Sequence, residues 1–348
     1  MRHDRVNSLT NCEQTRRSQD IVEPTSLSHL LGSLDTSIDM SIVIVNWNTS
    51  QLLSDCLQSI QQHHDGVSIE VIVVDNGSRD DSIAMIRRAF PSTVLIENGR
   101  NLGFAVANNR GLAVARGRFL LLLNSDTLAT AGALRTMIAY LDDPAHHAVG
   151  ALGPRLQTGD GMLQLSTRDF PRLDHDAAIL LEVKDWPILG DLARRYADRS
   201  YAESYTYTHQ VDWVQGSCLL LRRESLAQVG LLDEGYFFDY EESDLCFRLR
   251  RAGWTTVYFA DACIVHFGGQ SRKKAASITL VWHYRSMLRY YRLHASYRRY
   301  IAVRLGVLVV ALGHVLWRLT VRWSTPGDRQ AAAAYAHIAA DAFRGAGW

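Results

Sequence analysis

The stretch Phe119-Leu120-Leu121-Leu122-Leu123-Asn124-Ser125-Asp126 is an apolar run long enough for one buried strand, and it ends abruptly in an amide and a carboxylate. A strand with no polar alternation is covered on both faces, as in a mainly parallel sheet flanked by helices. Such a strand delivers Asp126 to the carboxyl edge of the sheet, where open α/β folds place their ligands. A carboxylate there can hold a hard divalent cation, and a cation so placed commonly holds phosphates.

Upstream, apolar β-branched runs recur at 41–45 (Ser-Ile-Val-Ile-Val), 69–74 and 93–96, separated by helix-like stretches near 50–62, 79–89 and 104–115. Short apolar strands alternating with amphipathic helices define a doubly wound α/β sheet. Downstream the rhythm loosens. Gly, Pro and Asp cluster through 153–176, and 186–213 is aromatic and polar, a composition suited to the second wall of a pocket. Strand-like 217–221, helices at 223–229 and 241–251, and a strand at 254–259 complete the core. Residues 1–39 are polar without periodicity and read as a disordered extension, with Met40 as an alternative start.

The net charge of +1 over 348 residues conceals an asymmetry. Residues 271–348 carry 13 Lys and Arg against 2 Asp and Glu, leaving 24 against 34 for the rest. A basic tail interleaved with apolar runs fits an anionic lipid surface better than nucleic acid, and no nucleic-acid partner is expected. Residues 301–321 are apolar apart from Arg304, His314, Arg318 and Thr320. They fall short of a clean spanning helix of about 20 apolar residues. An interfacial helix is expected, with a helical cap folded onto the domain as the alternative. Cys12, Cys56, Cys218, Cys246 and Cys263 contain no Cys-x-x-Cys pair. That argues against a zinc site or disulfide framework and for a cytosolic compartment. No charged segment followed by an apolar core marks a secretory signal at the N-terminus.

Four polar clusters follow the apolar runs: Asn46-Trp47-Asn48, Asp75-Asn76-Gly77-Ser78, Asn101-Leu102-Gly103-Phe104 with Asn108-Asn109, and Asn124-Ser125-Asp126. Each alone is an ordinary turn or cap. Their recurrence at one sheet edge makes Asn46, Trp47, Asn48, Asp75, Asn76, Asn101, Gly103, Asn108 and Asn124 candidate substrate-binding residues.

Together with the block from Gly216 to Trp254, these strings resemble the inverting family 2 glycosyltransferases of GT-A fold, within them the rhamnosyltransferase-like bacterial members. The resemblance covers roughly residues 40–270, leaving 271–348 as a basic amphipathic helical region. It implies a nucleotide-diphosphate sugar donor, Mg²⁺ or Mn²⁺, and transfer with inversion to an acceptor hydroxyl. It further implies that Asp75 binds the nucleobase, that Asp126 holds the metal bridging the diphosphate, and that His266 completes the metal site. Asp212, Trp213 and Gly216 lie where the family shapes the sugar pocket. One departure stands out: the family's Asp-x-Asp is Asn124-Ser125-Asp126 here, which leaves a single carboxylate in that motif.

The segment 239–244 packs Asp239, Glu241, Glu242 and Asp244 into six residues. Acids that close suit a helix N-terminus, whose partial positive charge favours them. At about 100° per residue, Glu242 shares the arc of Leu245 and Leu249, whereas Asp244 points away and can pair with Arg248. Glu242 then faces the interior or a cleft. The resemblance implies that an acidic pair here contains the catalytic base, assigned to Glu242 with Glu241 and Asp244 as alternatives.

The expected activity is rhamnosyl transfer from dTDP-L-rhamnose to a lipid-linked saccharide in cell-surface polysaccharide assembly. The expected location is the inner face of the cytoplasmic membrane, with peripheral contact through the C-terminal region. Arg272, Lys273 and Lys274 could attract the diphosphate or a phospholipid headgroup, or form a solvated basic turn. Two competing classes are weighed. A sugar nucleotidyltransferase uses a Gly-rich loop and lysines, but no such loop follows the first strand, and Lys184 is the single lysine in 40–270. An inactive membrane-associated scaffold of the same fold is the second.

Overall fold

This computed structural model, which describes residues 34–172, 204–268, 276–320 and 326–345, is built on one large mixed sheet. Its first half alternates as expected: β1 (Met40–Asn46), α1 (Ser50–Gln62), β2 (Ile69–Asp75), α2 (Ser82–Ala89), β3 (Val94–Glu97), α3 (Phe104–Val114) and β4 (Phe119–Asn124). These four strands pair parallel. Next come β5 (Thr127–Ala129), α4 (Ala133–Asp142), β6 (Val149–Gln157), the short strands β7 (Leu163–Gln164), β8 (Thr167–Arg168), β9 (His209–Val211) and β10 (Trp213–Val214), then β11 (Cys218–Arg222). The core closes with α5 (Arg223–Val229), α6 (Glu241–Arg251) and β12 (Thr255–His266). Helices α7 (Ala276–His294), α8 (Tyr297–Thr320) and α9 (Pro326–Arg344) follow. Across the sheet the strand order is β3-β2-β1-β4-β11-β6-β12-β5.

The leucine run of β4 shows why the sheet forms. Leu121 and Leu123 join Ile42, Ile44, Leu53, Leu57 and Met137 on one face, while Leu120 and Leu122 join Val43, Leu112, Leu245 and Leu249 on the other. Both faces are covered, so the run needs no polar alternation. Truncating one such leucine to alanine costs about 2–5 kcal/mol.

The register sets the site. Asn46 lies opposite Asp75, and Val45 opposite Asn124, so three motifs end at one level of the carboxyl edge. β11 runs antiparallel to β4, with Cys218 opposite Leu123, so its entry residues Gly216 and Ser217 return to that edge. β12 runs parallel to β6, which is antiparallel to β11, and so ends at the same edge in His266.

The structure adds detail to four expectations. The extension expected to end at residue 39 is ordered in its last six residues: Asp35 N–H bonds Arg116 O at 2.9 Å, and Asp39 pairs with Arg118 at 2.9 Å. Residues 1–33 lie outside the described residues, as do Arg272, Lys273, Lys274 and positions 173–203 of the aromatic region. The strand expected at 254–259 runs on to His266 as β12, with a register shift between Phe259 and Cys263. The loosened stretch after residue 150 contains β6, an interior strand. Its glycines admit distant side chains: a Cβ on Gly150 would lie 2.9 Å from Trp254, and one on Gly153 2.7 Å from Val214. Finally, α8 covers the apolar run at 301–321 and has two unlike faces. Tyr300, Val303, Val307 and Ala311 are buried against the other helices, whereas Leu305, Val309, Leu312, Leu316 and Leu319 are exposed.

Candidate active site

Asp126 and His266 meet because the end of β12 pairs with β5. His266 lies opposite Thr127, and Phe267 N–H bonds Asp126 O at 2.9 Å. This brings His266 Nε2 to 3.3 Å from Asp126 Oδ1 and 3.5 Å from Asn124 Nδ2. The other ring nitrogen, Nδ1, lies 2.9 Å from Gln164 Oε1 on β7. An amide oxygen only accepts, so Nδ1 is the donor to Gln164, and this bond turns Nε2 toward Asp126. A hydroxyl contact of 2.9 Å between Thr49 and Ser125 ties the turn to the start of α1.

This donor set has one carboxylate oxygen and one imidazole nitrogen side by side. Among the described residues no group of three or more His, Cys, Asp or Glu converges on a point. Mg²⁺ and Mn²⁺ sites that take one or two protein ligands and complete their shell with substrate phosphates and water have this character. The pair therefore fits a metal that arrives with a diphosphate rather than a closed all-protein cage.

Glu242 stands in the first turn of α6, and its Oε1 accepts from Gly216 N–H at 3.2 Å. The next residue, Ser217, accepts from Asn124 N–H at 3.0 Å, so the Glu242 carboxylate and the Asn124-Ser125-Asp126 turn share one strip of backbone. A side chain on Gly216 would lie 3.6 Å from Glu242 Oε1. Glu241 is buried in the same turn. Asp244 turns the other way, as helical spacing predicts, but it is buried rather than exposed: Arg248 Nε lies at 2.8 Å and His294 Nε2 at 2.6 Å. Burial alone would raise its pKa; the bond from His294 and the charge of Arg248 instead hold it below the ordinary carboxylate value.

The remaining candidates build the edge of the cleft. Asp75 is buried, takes Asn46 Nδ2 at 3.0 Å on one oxygen, and takes the amides of Gly77 and Ser78 at 3.1 and 2.8 Å on the other. Asn46 also donates to Ser78 Oγ and accepts from Thr49 Oγ1 at 2.7 Å. Asn76 donates to Asn101 Oδ1 and Gly103 O at 2.9 and 3.2 Å and accepts from Asn98 Nδ2 and Leu102 N–H at 3.0 Å each. These bonds join the loops after β2 and β3. Gly103 has φ +90, and a Cβ there would meet Phe237 O at 2.7 Å. Asn108 is buried in α3, bonding Phe104 O at 2.9 Å. Asn48 adopts φ 55 and accepts from Arg79 N–H at 2.7 Å. Trp47 follows β1 half-buried. Trp213 anchors its indole N–H on Asp169 O at 2.9 Å, and Asp212 pairs with Arg250 at 2.6 Å. Gln164 and His294 were not legible in the sequence as site residues.

The comparisons with known proteins bear on the family and the fold. The family model for glycosyltransferase like family 2 matches residues 39–285. The N-acetylglucosaminyl-diphospho-decaprenol L-rhamnosyltransferase of Mycobacterium tuberculosis is 30% identical over 232 residues, covering 63% of this chain and 73% of that protein. Rhamnosyltransferase WbbL of Escherichia coli K12 is 26% identical over 259 residues, covering 72% and 91%. Among solved structures, the mannosyltransferase PcManGT from Pyrobaculum calidifontis, in complex with GDP-Man and Mn²⁺, superposes with TM-score 0.51 at 17% identity, covering 91% and 92%. The chain belongs to glycosyltransferase family 2 and has the GT-A fold. It is a glycosyltransferase, which sets aside the nucleotidyltransferase reading.

Proposed function

We propose that this enzyme transfers L-rhamnose from dTDP-L-rhamnose, with inversion, to a hydroxyl of a lipid-linked saccharide at the inner face of the cytoplasmic membrane. The observation that supports it is the shared strip of backbone between Glu242 and the Asn124-Ser125-Asp126 turn, whose Asp126 pairs with His266. The choice of sugar draws on the names of the two relatives, and the lipid-linked acceptor on that of the Mycobacterium protein alone.

Glu242 takes the proton from the acceptor hydroxyl as its oxygen attacks the anomeric carbon, worth about 10²- to 10⁴-fold. Gly216 N–H holds one carboxylate oxygen in place. The bond from the anomeric carbon to the diphosphate oxygen breaks on the opposite face, so the configuration inverts. Mg²⁺ or Mn²⁺ held by Asp126 and His266 would supply positive charge to the departing diphosphate. Asn46, Asp75, Asn76 and Asn101 shape the edge on which the nucleoside lies, Asp75 serving the nucleobase. Trp213 and Gly216 border the sugar.

The C-terminal region supports membrane contact. Leu305, Val309, Leu312, Leu316 and Leu319 expose one apolar face of α8, and Arg298 and Arg299 lie exposed at its start. By length and composition α8 is the one described helix able to cross a membrane, with 22% of its apolar window buried. Because its other face packs on α7 and α9, we assign it to the interface plane.

The test is nucleoside diphosphate release from a panel of dTDP-, UDP- and GDP-sugars, with and without Mn²⁺, using detergent-solubilised protein and membrane lipid extract. Metal-dependent turnover of dTDP-L-rhamnose is expected. Turnover of a UDP- or GDP-sugar alone would reassign the donor, and no turnover by folded protein would leave an inactive scaffold.

A further inference from the structure

The loop that leads into the Glu242 helix is strained. Asp239 and Tyr240, immediately before α6, have φ values of 64 and 72. Two successive side-chain-bearing residues in the left-handed region persist only where the surroundings over-determine them. Helix α7 supplies those surroundings. His283 Nδ1 lies 2.9 Å from Asp239 Oδ2, and Ser286 Oγ donates to Phe238 O at 2.8 Å. Arg289 grips Asp233 with two donors, Nε to Oδ2 at 2.9 Å and Nη2 to Oδ1 at 2.7 Å. Its guanidinium fills the space where Gly235 lacks a side chain, and it lies 5.5 Å from the centre of the Tyr236 ring. At the end of α7, His294 holds Asp244 at 2.6 Å in the first turn of α6.

These contacts meet one loop at both ends, from Asp233 to Asp244. The same loop touches the donor side of the cleft, where Phe104 N–H bonds Phe237 O at 2.9 Å and Gly103 makes its close approach. Glu242 is thus suspended between two anchors on α7. Ser286, Arg289 and His294 lie beyond residue 285, where the family match ends.

We propose that α7 belongs to the working frame of the active site, with Arg289 and His294 as positioning residues that set where the Glu242 carboxylate stands. This rests on Glu242 being the base. The two residues touch neither donor nor acceptor; they act through Asp233 and Asp244. Loss of either lets the loop relax toward ordinary backbone geometry and moves the carboxylate off the acceptor hydroxyl, while Asn46 and Asp75 keep the bonds that hold the nucleoside edge without the loop.

The experiment compares full-length Arg289→Lys, His294→Leu and His294→Gln in detergent with membrane lipid extract and dTDP-L-rhamnose. It reads kcat, donor Kd, melting temperature and amide hydrogen exchange over residues 236–245. Lysine keeps the charge of Arg289 without its fork, and glutamine keeps a donor near the position of His294 Nε2. Expected are a kcat loss of at least tenfold, toward the roughly 10²-fold that a misplacement of about 1 Å can cost, donor Kd within twofold, faster exchange confined to the loop, and recovery in His294→Gln. Unchanged kcat in folded variants overturns the proposal, as does parallel loss of donor affinity and protection across the sheet. Failure of all three variants and of the milder Ser286→Ala to fold also overturns it, leaving α7 a purely structural element. Glu242→Gln run alongside separates the two readings. Unchanged kcat there removes the base assignment itself. Loss there with full kcat in the α7 variants removes only the role of α7.

Discussion

Glu242 Oε1 accepts the amide of Gly216 at 3.2 Å, one residue before the carbonyl that receives Asn124 N–H. The carboxylate is therefore indexed to the turn that carries Asp126, not merely near it. Glu242→Gln keeps the shape and an acceptor for Gly216 but cannot take a proton. It is expected to lower kcat by about 10²- to 10⁴-fold with donor affinity nearly unchanged. Nucleoside diphosphate release and calorimetric donor binding check this. Equal loss in both would mean that Glu242 binds rather than reacts.

His266 presents Nε2 toward Asp126 because Gln164 holds its Nδ1. Asp126→Asn and His266→Ala each remove a proposed ligand and should abolish Mn²⁺ binding in the presence of dTDP, measured by electron paramagnetic resonance of the free ion. Gln164→Ala removes the tautomer lock alone and should weaken Mn²⁺ by about 10- to 100-fold. Chelation should stop turnover, and added Mn²⁺ should restore it. Full Mn²⁺ affinity in Gln164→Ala would contradict the orientation argument.

The part of the fold built from β1 to β4 was legible because each strand carries an apolar run of three or more residues with turn chemistry at its end. β6 was not, since Gly150, Gly153 and Pro154 look like a loop until Trp254 and Val214 fill the space above the glycines. The same limit applies to the site. Asp126 and His266 were read from motif and resemblance, but Gln164 lies 102 residues from His266, and His294 lies 50 from Asp244. No local pattern marks contacts made across such separations. Asp75 and Asn76 carry the opposite lesson, because a motif that reads as ligand contact also has to hold its own turn. Here four of their hydrogen bonds are to backbone N–H groups of Gly77, Ser78 and Leu102 and to Gly103 O.

Asp244 makes a pH prediction. Burial raises its pKa, but the His294 bond and Arg248 lower it further, so the folded value lies below the ordinary one. A carboxylate depressed on folding contributes stability above its unfolded pKa of about 3.9, and loses it as pH falls through the folded value. Stability of the wild type should therefore fall below about pH 4 more steeply than that of Asp244→Asn, which lacks the titration. At neutral pH the variant should be less stable by about 3 kcal/mol, since Arg248 and His294 lose a buried partner. Denaturant melts between pH 3 and 7 decide it, and identical acid limbs would refute the assignment.

The exposed face of α8 repeats apolar residues at 305, 309, 312, 316 and 319, a spacing of four and three that keeps them on one side. Val309 is 69% exposed and Leu316 63%, so replacing both with glutamate removes no core contact and should leave the melting temperature nearly unchanged. It should abolish sedimentation with vesicles of mixed anionic and zwitterionic lipid. The basic end of the helix gives a separate signature: Arg298→Glu with Arg299→Glu should weaken binding to anionic vesicles and remove its salt dependence, at about 1 kcal/mol per residue, while leaving binding to detergent micelles intact. If Val309→Glu with Leu316→Glu still binds vesicles fully, the apolar face meets something other than lipid, and the proposed membrane contact through it is overturned.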